Sequence, residues 1–355
     1  MAASGAGRLS TPVPDGGTLV VGPAWVGDLV MADVLLKRLK TQQPEQPITV
    51  QTTPALLPLA ERLSGADAAI ALDTAHGELA LGRRRAQGRQ LRERAFSRAY
   101  VLPNSFKAAL VPFWAEIPYR CGWLGEFRYW LLNDPRRLDK ARYPLQIERF
   151  LALAEPPGAA LTPPYPQPRL RVEPQRTTAL KAQHGLTSER AVLALAPGAE
   201  YGPAKRWPAE HFAAVARAAL ERGWDVWVFG ADGDRGLADA IVAGAATPGR
   251  DDVGQLVNLC GRTSLADVVD LLAATAAVVC NDSGIMHIAA ALDTQVIALY
   301  GSSSPAFTPP LSERATVLEQ TLDCRPCFER VCPLGHTNCL RTLTPERALA
   351  ALGWC

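Results

Sequence analysis

Residues 18–39 read TLVVGPAWVGDLVMADVLLKRL, and residues 191–220 read AVLALAPGAEYGPAKRWPAEHFAAVARAAL. Each opens with a short apolar run, turns through a glycine-containing loop and continues as an amphipathic helical stretch. An apolar run without polar alternation fits a strand buried on both faces, as in a parallel sheet covered by helices. Two such openings in one chain of 355 residues predict an α/β protein with two Rossmann-like domains, each a doubly wound parallel sheet.

Between them lies EPPGAALTPPYPQPRLRVEP, residues 155–174, with seven prolines. Proline lacks the N–H that a helix or central strand needs, so this stretch reads as an extended linker. The predicted domains are residues 1–160 and 175–355, with 161–174 as linker and with the last helix able to pack back on the first domain. More strand–loop–helix units follow the same pattern: SRAYVLPNS (97–105), WDVWVFG (224–230), AAVVCNDSG (276–284) running into IMHIAAAL, and TQVIALYGSSSP (294–305). Ligands of such sheets bind beyond the C-terminal strand ends, so these loops are expected to line a cleft between the domains.

Composition narrows the function. The 37 Lys and Arg against 35 Asp and Glu give a net charge of +2, which argues against a nucleic-acid binder. Eight cysteines are too few for a disulfide scaffold. The longest apolar run, Leu271 to Cys280, is about half of what a membrane span needs, and MAASGAGRLSTPVPDGG lacks the apolar stretch of a leader. The cytosol is therefore the expected compartment. Charge is uneven: residues 1–160 carry 20 basic and 15 acidic side chains, residues 161–355 carry 17 and 20. Much of the excess lies in GRRRAQGRQLRERAFSR, where Arg83, Arg84, Arg85, Arg89, Arg92, Arg94 and Arg98 face only Glu93. That segment is either a solvated helix face or a surface for an anionic substrate or lipid headgroup.

The loops carry the candidate chemistry. Asp28 stands near the predicted helix start, as an N-cap or as a general base. In PGAEYGPAKRWP, Gly198 and Gly202 allow close backbone approach, while Lys205 and Arg206 supply positive charge. The Walker A spacing is missing, so a diphosphate site competes with a plain surface loop. Asp282, Ser283 and Gly284 open a helix that carries His287 one turn in. They suit phosphate oxygens, or else they cap the helix and pack on the sheet. Asp232 and Asp234 follow another strand, where an acidic group takes ribose hydroxyls or caps a helix. CRPCFERVCPLGHTNC places Cys324, Cys327, Cys332 and Cys339 within sixteen residues beside His336. Four thiols so close suit a metal, but the spacing lacks the long gap of a zinc finger, so reduced local thiols remain the alternative.

Taken together, GPAWVGDLVMA, YVLPNSFKAALVPFWAEIPYRCGW, WLLND, PGAEYGPAKRWP, NDSGIMHIAAAL and LYGSSSPAFTPPLS, in this order, resemble the ADP-heptose–lipopolysaccharide heptosyltransferases, which are GT-B glycosyltransferases of family 9. AHGELALGRRRAQGRQLRE resembles their basic segment. The resemblance spans nearly the whole chain from about Thr18. It implies a GT-B fold and a cytosolic enzyme at the inner-membrane surface. The implied reaction moves L-glycero-D-manno-heptose from ADP-heptose to the first heptose of a heptosyl-Kdo–lipid A acceptor. It implies Asp28 as general base and Lys205 on the donor diphosphate. Gly198, Arg206, Asp282, Ser283, Gly284 and His287 fall at donor positions, with Asp232 or Asp234 at the ribose. Asn104, Ser105, Lys107 and Arg120 match the acceptor half. Inversion by a single displacement needs one base and, in this class, no metal cofactor. Domain closure would bring Asp28 to the donor. The alternatives are the first heptosyltransferase of the core, another transferase of the family, a GT-B-like epimerase, or a non-catalytic nucleotide-sugar binder.

Overall fold

The computed structural model describes residues 15–72, 74, 78–186, 189–246 and 254–354. The start of the N-terminal stretch read for a leader, and Ala75, His76 and Gly77 of the basic block, lie outside the described residues. Two compact units divide the chain, Met1–Arg171 and Val172–Cys355.

The first unit is a parallel sheet of β1 (Thr18–Val21), β2 (Ile48–Thr52), β3 (Ala68–Ala71), β4 (Arg98–Val101), β5 (Tyr119–Trp123) and β6 (Asp134–Arg136). Their spatial order is β3-β2-β1-β4-β5-β6. The TLVV run becomes β1 and is buried along its whole length, flanked in register by β2 and β4. Pro135 in β6 is tolerated because β6 is an edge strand.

The second unit repeats the plan with β7 (Val192–Ala196), β8 (Asp225–Val228), β9 (Leu256–Asn258), β10 (Ala277–Asn281), β11 (Gln295–Tyr300) and β12 (Ala315–Glu319). Their order is β12-β11-β10-β7-β8-β9. Both orders are the doubly wound Rossmann arrangement, so the predicted class of two Rossmann-like domains holds, as GT-B requires. Leu193, Leu195, Val226, Val228, Val279, Ile297 and Leu299 form the sheet side of one core, against Phe212, Val215 and Ala219 of the helix Ala209–Glu221. Ala348 and Leu352, from the last helix and just beyond it, join this same core. The last helix packs within the second unit.

The proline-rich stretch differs from a free linker. Leu170 forms a bridge with Leu63. Lys37 Nζ donates to the Gln167 carbonyl at 2.6 Å, and the Arg169 amide donates to Asp33 Oδ2 at 3.0 Å. Asp33 is fully buried and also accepts from Ser64 Oγ (2.8 Å) and the Gly65 amide (2.8 Å). This carboxylate anchors the stretch to the first unit, whose boundary accordingly falls after Arg171 rather than residue 160.

Candidate functional site

In a doubly wound sheet the crevice opens where strand order reverses. In the second unit that place lies between β7 and β10, whose following loops are residues 197–206 and 282–283. Asn281, the last residue of β10, ties them together. Its Nδ2 donates to the Pro197 carbonyl at 2.7 Å and its Oδ1 accepts the Trp207 amide at 3.0 Å. Both ends of the 197–206 loop thus hang on one buried side chain. At position 198 a Cβ would lie 2.3 Å from Asp234 Oδ2, so a larger residue there would displace that carboxylate. Glycine is needed at 202, where a Cβ would lie 2.4 Å from the Arg330 carbonyl oxygen.

Lys205 ends a single 3-10 turn, Pro203–Lys205. Its ammonium donates to Asp282 Oδ2 at 2.5 Å, and Ser303 Oγ donates to the same oxygen at 2.5 Å. Asp282 is 5% exposed. An ammonium has three donors, so this pairing leaves Lys205 able to reach an anion. Ser283 stands at the N-cap of the helix Gly284–Ala291 but makes no cap bond. The Ser283 and Ser302 hydroxyls are both buried without a hydrogen-bond partner. They adjoin Asp282 and Ser303, so they flank the Lys205 pair. Unpaired buried hydroxyls ask for an explanation, and phosphate oxygens at a helix N-terminus supply one.

His287 is 5% exposed, and burial pushes its pKa down to about 4, with Asp282 opposing the shift and Lys205 reinforcing it. The imidazole is neutral at pH 7. The unfolded chain binds the proton from about 6.5 downward while the folded chain resists it, so stability is present above 6.5 and declines as pH falls toward 4. His287→Gln is expected to flatten this decline, as measured by denaturant unfolding across that range.

The two acidic candidates after β8 differ. Asp234 Oδ2 accepts the Ala231 amide at 3.1 Å, and Oδ1 pairs with Arg206 at 3.7 Å. Asp232 is largely exposed and pairs with Arg235 at 2.9 Å. Asp234 therefore braces the Gly198 loop, and Asp232 presents its carboxylate outward. Two partners escaped sequence reading. The Arg330 guanidinium lies 5.1 Å from the Tyr201 ring centroid, as does the Lys205 ammonium. Tyr201 Oη donates to the Phe328 carbonyl at 2.6 Å. No short-range motif announces a contact across this much chain.

In the first unit the order reverses between β1 and β4. The loop after β1 leads into the helix Val26–Met31, with Asp28 half-buried in its first turn. Trp25 is the N-cap residue, and Asp28 is the acidic residue of the first turn. The loop after β4 carries Asn104 and Ser105, followed by Lys107 in the 3-10 helix Phe106–Ala109. Arg128 is fully buried beneath this loop. It donates to the carbonyls of Trp123 (2.6 and 3.1 Å), Pro103 (2.5 Å) and Ser105 (3.1 Å), and burial lowers its pKa to about 10. Arg128→Met leaves those carbonyls unpaired and is expected to cost about 2–4 kcal/mol, read by denaturant unfolding. Arg120 donates to the Leu131 and Ile117 carbonyls (2.7 and 2.5 Å). Its guanidinium is thereby committed to the backbone before β5 and between β5 and β6.

Cys324, Cys327 and Cys332 are partly exposed and Cys339 is buried. Among the described residues, no three or more His, Cys, Asp or Glu side chains are gathered as a metal site, and no helix is long and apolar enough to cross a membrane.

Two Rossmann-type units, one of them with a cationic, hydroxyl-lined strand end at the β7–β10 reversal, suit an enzyme that takes a phosphorylated ligand there. The model of glycosyltransferase family 9 (heptosyltransferase) matches residues 84–338. The chain is 43% identical to lipopolysaccharide heptosyltransferase 2 of Salmonella typhimurium, over 94% of this chain and 97% of that one. It is 41% identical to lipooligosaccharide heptosyltransferase 2 of Haemophilus influenzae over the same shares. The solved structure of Escherichia coli ADP-heptose lps heptosyltransferase II superposes with a TM-score of 0.85, at 41% identity, covering 95% of this chain and 97% of that one. The chain belongs to glycosyltransferase family 9, the heptosyltransferases, and is a glycosyltransferase enzyme.

Proposed function

We propose that this enzyme transfers L-glycero-D-manno-heptose from ADP-heptose to the first heptose of a heptosyl-Kdo–lipid A acceptor. The observation that carries the reading is the 43% identity, across 94% of the chain, to a heptosyltransferase 2. The site geometry supports it. The Lys205 ammonium and the Ser283 and Ser302 hydroxyls suit the donor diphosphate at the start of the helix Gly284–Ala291.

In the proposed step the acceptor hydroxyl oxygen bonds to the anomeric carbon of the donor as the bond from that carbon to the ADP oxygen breaks. The hydroxyl proton passes to the Asp28 carboxylate. The electron pair leaves with ADP, and Lys205 offsets the charge that builds there. The chemical step is expected to need no added magnesium or manganese.

The acceptor carries lipid, which points to work at the cytosolic face of the inner membrane. The exposed Arg83, Arg85, Arg89 and Arg92 lie on the helix Leu81–Arg92. Gly88 of this helix packs against Trp114, and Phe113 beside it stacks edge-on with Trp130 at 5.4 Å. Trp130, Tyr129 and Phe127 are 60%, 57% and 84% exposed. Basic side chains beside exposed aromatics suit an anionic interface.

The test is incubation with ADP-heptose and heptosyl-Kdo–lipid A, followed by mass spectrometry. One added heptose is expected, and none would sink the reading. Sedimentation with anionic vesicles is expected to weaken with salt, and again in an Arg83→Glu/Arg89→Glu variant. Binding unchanged by both would remove the membrane surface.

A further inference from the structure

The segment from Cys324 to Cys339 holds four thiols that the transfer reaction does not use. No strand or helix of the described chain lies between β12, which ends at Glu319, and the short helix that starts at Asn338. Apolar packing does not explain its shape, since Phe328, Val331 and Leu334 are 47%, 67% and 61% exposed. Yet Cys324, Cys327, Cys332 and Cys339 all line one cavity of about 20 Å³, enough for a single small ion. His336 also lines the cavity, but its Nδ1 accepts the Asn338 amide at 3.0 Å. That bond occupies Nδ1, and the four thiols supply the donor set.

We infer that Cys324, Cys327, Cys332 and Cys339 form a tetrathiolate site for one zinc-class ion, which braces this strap against the loops that hold the nucleotide sugar. As the side chains stand, no three of the sulfurs are gathered closely enough to hold the ion. Binding must draw them in to about 2.3 Å from the metal. A segment without regular structure can yield in this way, with metal binding completing its fold. All-thiolate, four-coordinate ligation selects zinc or iron over magnesium and calcium.

The bracing clause rests on the proposed donor site. The strap touches the 197–206 loop and the loop after β11, which carries Ser302 and Ser303. The Ala204 amide donates to the Arg330 carbonyl at 3.0 Å, and the Phe328 amide to the Ser302 carbonyl at 2.7 Å. Arg325 donates to the carbonyls of Gly301 (2.6 Å) and Ser303 (3.2 Å). Loosening the strap thus loosens the neighbours of both Lys205 and Asp282.

The experiment uses the full chain, purified under reducing conditions without chelator, with metal content read by elemental mass spectrometry. About one zinc or iron per chain is expected, lost in Cys327→Ser and Cys332→Ser. These positions are only partly buried, so either variant can be checked for a native circular dichroism spectrum. Cobalt exchanged into the site is expected to show a thiolate charge-transfer band. ADP affinity, read by calorimetry, is expected to weaken roughly tenfold in the same variants. Fully reduced protein that takes up no zinc on titration, or a disulfide within the strap, would overturn the site. Bound metal with unchanged ADP affinity in the variants would overturn the bracing, and wild-type ADP binding shows separately whether the donor reading stands.

Discussion

Asp28→Asn is expected to lower kcat by about 10²–10⁴-fold while ADP-heptose binds as before. The substitution keeps the shape of the side chain and the helix Val26–Met31 that presents it. It removes the carboxylate that, in the proposed step, accepts the hydroxyl proton. The backbone at this point is firmly held: β1 is buried throughout, and the Asp28 carbonyl already accepts the Ala32 amide at 2.9 Å. Lost turnover would then report chemistry rather than a displaced helix. The check is a comparison of ADP release with calorimetric donor affinity. Turnover within a few-fold of wild type would remove Asp28 as the base, and equal losses in both quantities would make it a binding residue.

The loops at the strand-order reversals were readable before any coordinates because their chemistry is local. GPAWVGD, PNS, PGAEYGPAKR and NDSG each follow an apolar run directly, and the structure sets them after β1, β4, β7 and β10. Glycine at 198 and 202 reads locally as a permissive backbone position. The reason for it, Asp234 in one place and the Arg330 carbonyl in the other, is a long-range contact.

What stayed hidden has the same cause. Arg128 looks like any surface arginine in EFRYW, yet it is buried and makes four hydrogen bonds to three carbonyls. Asp33 looks like a solvated helix residue, yet it pins the proline-rich stretch. A charged residue without local periodicity shows its partner only when the chain is folded. The Arg-rich helix was half legible: Arg83, Arg85, Arg89 and Arg92 point outward as a solvated face would. Arg84 turns in, with Nε donating to the Leu79 carbonyl at 2.8 Å.

Lys205→Met is the second large expected effect, and it separates catalysis from stability. In the proposed mechanism Lys205 faces the leaving diphosphate, so its loss is expected to reduce kcat/KM by about 10²–10³-fold. The same change strands Asp282, whose side chain is 4% exposed, with only the Ser303 hydroxyl on the oxygen that Lys205 shared. Breaking a buried pair from one side costs about 3–5 kcal/mol. The 17% exposure of the Lys205 side chain puts this case at the low end, because water can reach the site. The second variant, Lys205→Met/Asp282→Asn, removes the stranded charge. It is expected to regain most of the lost stability in denaturant unfolding while activity stays down. Activity recovering along with stability would mean that Lys205 serves only to neutralise Asp282. Activity that stays lost in a restored fold leaves the diphosphate as the group that Lys205 answers to.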